Sequence, residues 1–258
     1  MNRSALALLG LLALPLAAAA QNDRPLLANE PPPERLPESR FSITPYIGAR
    51  VPFNTGTEVL VTEGGDQFQL RWERGGGPMA GVDVTARVHG PFHFIGGAAY
   101  SGRRDDLVFL QNNTGTTVDT LVAQGAAYWF ARAGVQVRLA DPNPDNRRFH
   151  PSALITVAPA IVWADYNDVA SFPDVANGSS HHFALNLGAD AAARIGRSER
   201  WSFTLGVQDY LTFWDTDRLR ARDAAVGEVL AEEPVTVAFD YGTSSIIALR
   251  FGISYRFR

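Results

Sequence analysis

The chain has 258 residues and a formal net charge of −4, with 46% hydrophobic and 19% charged residues. That balance excludes a disordered chain and gives no reason to expect a nucleic-acid partner. Cysteine is absent and all 23 basic side chains are arginine. Disulfides, thiolate metal sites and thiol catalysis are therefore excluded, and the arginine bias is compositional.

The N-terminus reads as a secretory signal peptide over residues 1–20. Met1-Asn2-Arg3 is a short basic start, Ala5 to Ala20 an apolar run interrupted by Pro15, and Ala18-Ala19-Ala20 a small-residue cleavage site before Gln21. The run is shorter than the ~20 apolar residues a spanning helix requires. No cysteine follows the cut, so a lipoprotein is not expected. Residues 21–40 form a proline-rich periplasmic linker, in which Pro25, Pro31-Pro32-Pro33 and Pro37 favour extended chain and leave no apolar face.

From Phe41 the hydrophobic pattern alternates with a period of two, which is a strand signal. Eight segments stand out: Phe41–Phe53, Pro78–Val88, Phe92–Arg103, Tyr128–Leu139, Ser152–Trp163, His182–Ile195, Trp201–Trp214 and Ser244–Arg258. The connections between them alternate. His89-Gly90-Pro91, Ala140–Pro151 and Gly196–Arg200 are short or turn-rich, whereas 54–77, 104–127, 164–181 and 215–243 are long. Short periplasmic turns and long extracellular loops belong to an up-and-down transmembrane β-barrel. Residues 41–258 are therefore expected to form an all-β, eight-stranded antiparallel barrel in the outer membrane of a Gram-negative cell. Since lipid cannot satisfy an open strand edge, closure is obligatory.

Each strand has one apolar face and one that mixes charge with glycine. In the last strand Ile247, Leu249, Phe251 and Ile253 share a face opposite Ala248, Arg250, Gly252 and Ser254. The apolar face is expected to meet lipid and the mixed face to fill the lumen. Aromatic residues near strand ends, among them Phe41, Phe53, Tyr100, Trp129, Trp163, Trp201, Trp214 and Phe257, read as girdles at the membrane boundary. By height along the strands, Asp83, Arg132, Asp190 and Arg250 fall near mid-barrel, with Arg50, Asn186 and Gln208 nearby. These predict a polar lumen network, because an unpaired buried ion is costly. Arg87, Arg138, Arg194 and Arg256 fall at the periplasmic end of the lumen. Asp209 lies on the apolar face and is expected near the outer rim or shifted by a bulge. Pro159, which cannot donate a ladder hydrogen bond, predicts a bulge or local break.

The signal peptide, the alternating strands, the loop asymmetry and the final segment LRFGISYRFR together resemble the small outer-membrane barrels of the OmpA, OmpX and OmpW type. The resemblance covers residues 41–258 and implies insertion by the barrel assembly machinery. Here the terminal aromatic is penultimate, Phe257 before Arg258. Partners implied are outer-membrane lipids and lipopolysaccharide.

Enzymes that modify lipid A share this scaffold. His150-Pro151-Ser152 resembles the His-x-Ser element of the deacylases but falls at a periplasmic turn. Ser179-Ser180-His181-His182, with Asp165 or Asp174, lies on the lipopolysaccharide side, but these are ordinary loop residues. No cofactor or metal is expected. The last long loop is highly charged, and a short helix is expected over Ala221–Glu232. The leading functional expectation is a structural or surface-interaction barrel with a filled lumen. The alternatives are a narrow anion-preferring pore or small apolar-molecule transporter, and a lipid-modifying enzyme.

Overall fold

The computed structural model describes residues 41–62, 64–112, 114–139, 149–165, 178–195, 200–215, 228, 235–240 and 243–257. The expected signal peptide and linker lie outside the described residues. Of the expected helix over Ala221–Glu232 only Glu228 is described, and it is helical.

Eight strands close into an antiparallel barrel. In chain order they are β1 (Phe41–Arg50), β4 (Gly77–His89), β5 (Phe92–Ser101), β8 (Ala127–Arg138), β9 (Phe149–Asp165), β10 (Ser179–Ile195), β11 (Trp201–Phe213) and β13 (Thr243–Phe257). Each pairs with the next, and β13 closes the ring on β1. We call the end holding Phe41, the Gly90-Pro91 turn and Phe257 the near end, and the other the far end.

The alternation in the sequence becomes an inverted polarity. On β13, Leu249, Phe251 and Ile253 are 44, 44 and 41% exposed, whereas Ala248 is 1% and Arg250 6% exposed. Ile43, Ile47, Val82, Val84, Val135, Ile155, Val157, Leu187 and Leu205 continue the exposed apolar surface around the ring. Water would penalise such a wall, since a soluble barrel turns its apolar face inward. Phe41, Phe92, Trp201 and Phe257 stand exposed at the near end, and Tyr100, Trp129, Trp163, Phe183 and Phe213 towards the far end. Two expected girdle residues do otherwise. Phe53 is buried and Trp214 packs against the lumen cluster, because both lie just beyond the strands and fold over the mouth.

The long connections are not all loops. Residues 54–77 carry β2 (Phe53–Thr62) and β3 (Gln67–Arg74), 104–127 carry β6 (Asp105–Asn112) and β7 (Thr117–Gln124), and 215–243 include β12 (Val235–Asp240). These five make a second sheet in the order β12-β2-β3-β6-β7. The order repeats that of the barrel strands they extend, β13-β1-β4-β5-β8, so one side of the wall continues past the far end. Gly65 and Gly115, with φ of 86° and 78°, turn the two hairpins in a conformation that favours glycine. Leu60, Leu70, Trp72, Val108 and Leu110 form a buried cluster on the sheet. Arg74 pairs with Asp106 at 3.0 Å where the sheet meets the barrel.

Of two expected irregularities, the local break at Pro159 is present and the displacement of Asp209 is not. At Pro159 there is no bulge: β9 stays in register with β10 through Leu185. The break lies on the β8 side, where pairing passes from Arg132↔Ala160 to Val135↔Val157. Asp209 is likewise in unbroken register, opposite Leu187 and Ile247. It is not at the rim. Four residues at ~3.3 Å each on a strand tilted ~40° put it about 10 Å below Phe213. Ser245 Oγ donates to its Oδ2 at 3.1 Å, which offsets part of the cost, whereas Oδ1 is buried without a partner among the described residues.

Candidate functional site: the barrel lumen

Mid-barrel, six of the seven residues expected in the network meet. Arg132 Nη2 donates to both oxygens of Asp83 at 2.9 and 2.8 Å. Arg250 holds Asp190 with two donors, Nε at 2.8 Å and Nη2 at 2.6 Å, and its Nη1 donates to Asp83. Arg132 Nη1 donates to Asn186 Oδ1 at 2.6 Å and also to Gln208 Oε1. Gln208 Nε2 in turn faces Asp190 at 3.3 Å. Two cations and two anions thus cancel, and the two amides take up further donors and acceptors, while Arg132 Nε is buried without a partner among the described residues. These groups come from β4, β8, β10, β11 and β13, so the network braces the ring across its width. Buried guanidinium–carboxylate pairs of this two-donor geometry are the form in which charge is tolerated away from water.

Glycines make room for it. A Cβ on Gly97 would fall on the Asp83 carboxylate, one on Gly206 on that of Asp190, and one on Gly188 on the Gln208 amide. The mixing of glycine with charge on the lumen faces is therefore a packing requirement of an eight-stranded barrel, whose interior is only as wide as its own side chains.

Above and below the network the lumen differs. Towards the far end Tyr46, Phe130, Tyr210, Ile246 and the alanines of β9 and β10 form an apolar plug. Phe130 and Tyr210 have ring centroids 4.6 Å apart, and Arg250 lies 5.1 Å from the Tyr46 ring. Towards the near end the lining is hydroxylic. Ser42 and Thr85 share a hydrogen bond, and Gln136 donates to Thr156 at 3.2 Å. Arg138, Arg87 and Arg256 lie close enough to act electrostatically on His93. Arg138 and Arg256 are half-buried and Arg87 is exposed, while the side chain of Arg194 lies outside the described residues.

Arg50 is the seventh expected member, and it stands apart. It ends β1 at the far mouth, where Nε donates to Ser101 Oγ at 3.2 Å and the guanidinium sits 4.3 Å from the Tyr128 ring centroid. Its parity is that of a lumen residue, but its height is that of the strand end.

The His182 cluster does not have the polarity of a hydrolase. The Asp215 backbone N–H donates to His182 Nδ1 at 3.0 Å, which leaves the ring proton on Nε2, 2.8 Å from Ser180 Oγ. A serine nucleophile needs the reverse, an unprotonated Nε2 to accept its proton and a carboxylate on Nδ1–H. Asp165 faces Arg103 at 3.8 Å, and Asp174 lies outside the described residues. His150 is drawn into β9 opposite Arg194 rather than a turn. Among the described residues no three His, Cys, Asp or Glu side chains are grouped to hold a metal.

A closed barrel with an apolar exterior and a charged, packed interior has the architecture of the outer-membrane β-barrels. The wall faces lipid. No protein-family model matches the chain, and no curated protein does. Solved structures similar to it include outer-membrane barrels at 9–13% identity. The Neisserial surface protein A has 9% identity, with 84% of this chain and 97% of that one covered and a TM-score of 0.42. OprG from Pseudomonas aeruginosa has 12%, with 86% and 97% covered and a TM-score of 0.44. The outer membrane protein AlkL, solved in lipid bilayers, has 13%, with 90% and 97% covered and a TM-score of 0.47.

Proposed function

We propose that this outer-membrane barrel is closed to solutes and serves as a rigid mount for its second sheet, which it holds outside the cell for surface contact. The observation that carries this reading is the neutral network of Asp83, Arg132, Asp190 and Arg250, which spans the lumen at mid-height beneath an apolar plug. An ion crossing that section must break two-donor arginine–carboxylate pairs and then desolvate against aromatic rings. Orientation follows from the Gly90-Pro91 turn and both barrel termini at the near end, which is periplasmic in barrels of this kind. The near-end arginines favour an anion path but stop short of the network. Lipid surrounds the wall, and lipopolysaccharide is the nearest contact for the sheet.

Planar-bilayer recording tests the closure. The refolded protein is expected to give no discrete conductance steps even in molar salt, where charge carriers are abundant. Steps that Arg250→Ala enlarges would instead make the lumen a gated pore.

A further inference from the structure

The mid-lumen arginines each have carboxylate partners, and Arg50 has none. It is 2% exposed, yet among the described residues no carboxylate lies within ion-pair reach, and its Nη1 is buried without a hydrogen-bond partner. A guanidinium does not shed its proton in a protein, so the charge persists. The rings of Tyr128 at 4.3 Å and Phe53 at 5.6 Å offset part of the desolvation through their π faces. They offer nothing to the in-plane N–H donors, and an unmade buried hydrogen bond remains costly.

The surroundings give that free donor edge a context. Trp214 stacks on Phe53 with ring planes 10° apart, and His182 packs against Trp214 at 4.7 Å. Trp214 is itself fixed, donating Nε1–H to Ser244 Oγ. It is the partly exposed member of this group, whereas Phe53, Tyr128 and His182 are buried. A persistent cation with an unused donor edge, faced by the Tyr128 and Phe53 rings and with Trp214 and His182 extending that aromatic surface from Phe53, has the chemistry of a receptor for a small organic oxyanion. The charged group meets the guanidinium and the apolar body lies among the rings.

We propose that Arg50 binds the carboxylate, phosphate or sulfate group of a small molecule at the far mouth of the barrel, with Trp214 as the contact on the open side. This goes beyond the surface-contact reading and is independent of whether the lumen conducts.

The test uses the full refolded protein in lipid vesicles. Benzoate and inorganic phosphate are titrated against chloride at constant ionic strength, following tryptophan fluorescence and the midpoint of heat unfolding. The expected result is a saturable rise in midpoint and a matching fluorescence change with one or both anions, larger for benzoate, whose ring can stack. Arg50→Gln should abolish both. Arg50→Lys keeps the buried charge but not the planar fork, and should weaken binding at least tenfold. Trp214→Phe should remove most of the fluorescence change while leaving the anion-dependent midpoint shift. An equal shift in wild type and Arg50→Lys, or no saturable shift with either anion, overturns the proposal.

Discussion

Gly206→Ala is expected to destabilise the barrel by about 3 kcal/mol, a large effect for one added methyl group. Gly206 lies on β11 opposite Asp190 and Arg250, and its Cβ would fall on the Asp190 carboxylate, with the Ala189 carbonyl 2.8 Å away. Neither neighbour is a flexible tip that can swing aside. The carboxylate is held by two donors of Arg250, and the carbonyl belongs to the wall. Overpacking alone costs about 1–3 kcal/mol, and displacing a paired buried ion adds to it. Urea unfolding of the refolded protein in vesicles measures the loss. The mechanism has its own check, because in an Asp190→Ala background the carboxylate clash is gone and only the contact with the Ala189 carbonyl remains. The two changes should then be non-additive by at least about 1 kcal/mol. Strict additivity would mean that the glycine serves something other than the network.

Arg250→Met should cost about 3–5 kcal/mol by the same measurement. The substitution strips Asp190 of both charged donors, leaving it the Gln208 amide, and leaves Asp83 with Arg132 alone. The network then carries one net negative charge away from water. Removing the partner as well, in Arg250→Met with Asp190→Leu, should recover more than half of the loss, because neither ion remains to be compensated. A single substitution that costs under about 1 kcal/mol would indicate that water reaches the network, and would weaken the case for a closed lumen.

The barrel was legible because its polarity is periodic. Each spanning strand alternates between a lipid-facing residue and a lumen residue, so β13 alone displays both faces. The same parity picked out Asp83, Arg132, Asn186, Asp190, Gln208 and Arg250, since a charge on a lumen face has nowhere to go but inward. Parity does not give height. Arg50 shares it, but strand register and tilt set which lumen residues meet, and these come from pairing rather than from local pattern.

The second sheet was missed for a different reason. Glu58–Thr62 and Gln67–Arg74 flank Gly64-Gly65, and Asp105–Asn112 and Thr117–Gln124 flank Thr114-Gly115. These are hairpin signals, with β-branched and aromatic residues in alternation. Long connections in membrane barrels are commonly loops, and that expectation outweighed the local pattern. Phe53 and Trp214 were read as girdle residues for a related reason. An aromatic residue at a strand end has the same sequence signature whether it turns out to lipid or in over the mouth.

The inverted polarity of the wall underlies every other conclusion, and the absence of cysteine makes it directly testable. Single cysteines placed in turn from Ile247 to Ile253 on β13 carry an environment-sensitive fluorophore in protein refolded into vesicles, and nitroxide-labelled lipid supplies the quencher. Leu249, Phe251 and Ile253 are exposed, and Ala248, Arg250 and Gly252 buried. The expected result is strong quenching at the odd positions and poor labelling with weak quenching at the even ones. Quenching of the opposite parity, or of none, would mean that the apolar face lines the interior and that the barrel does not meet lipid.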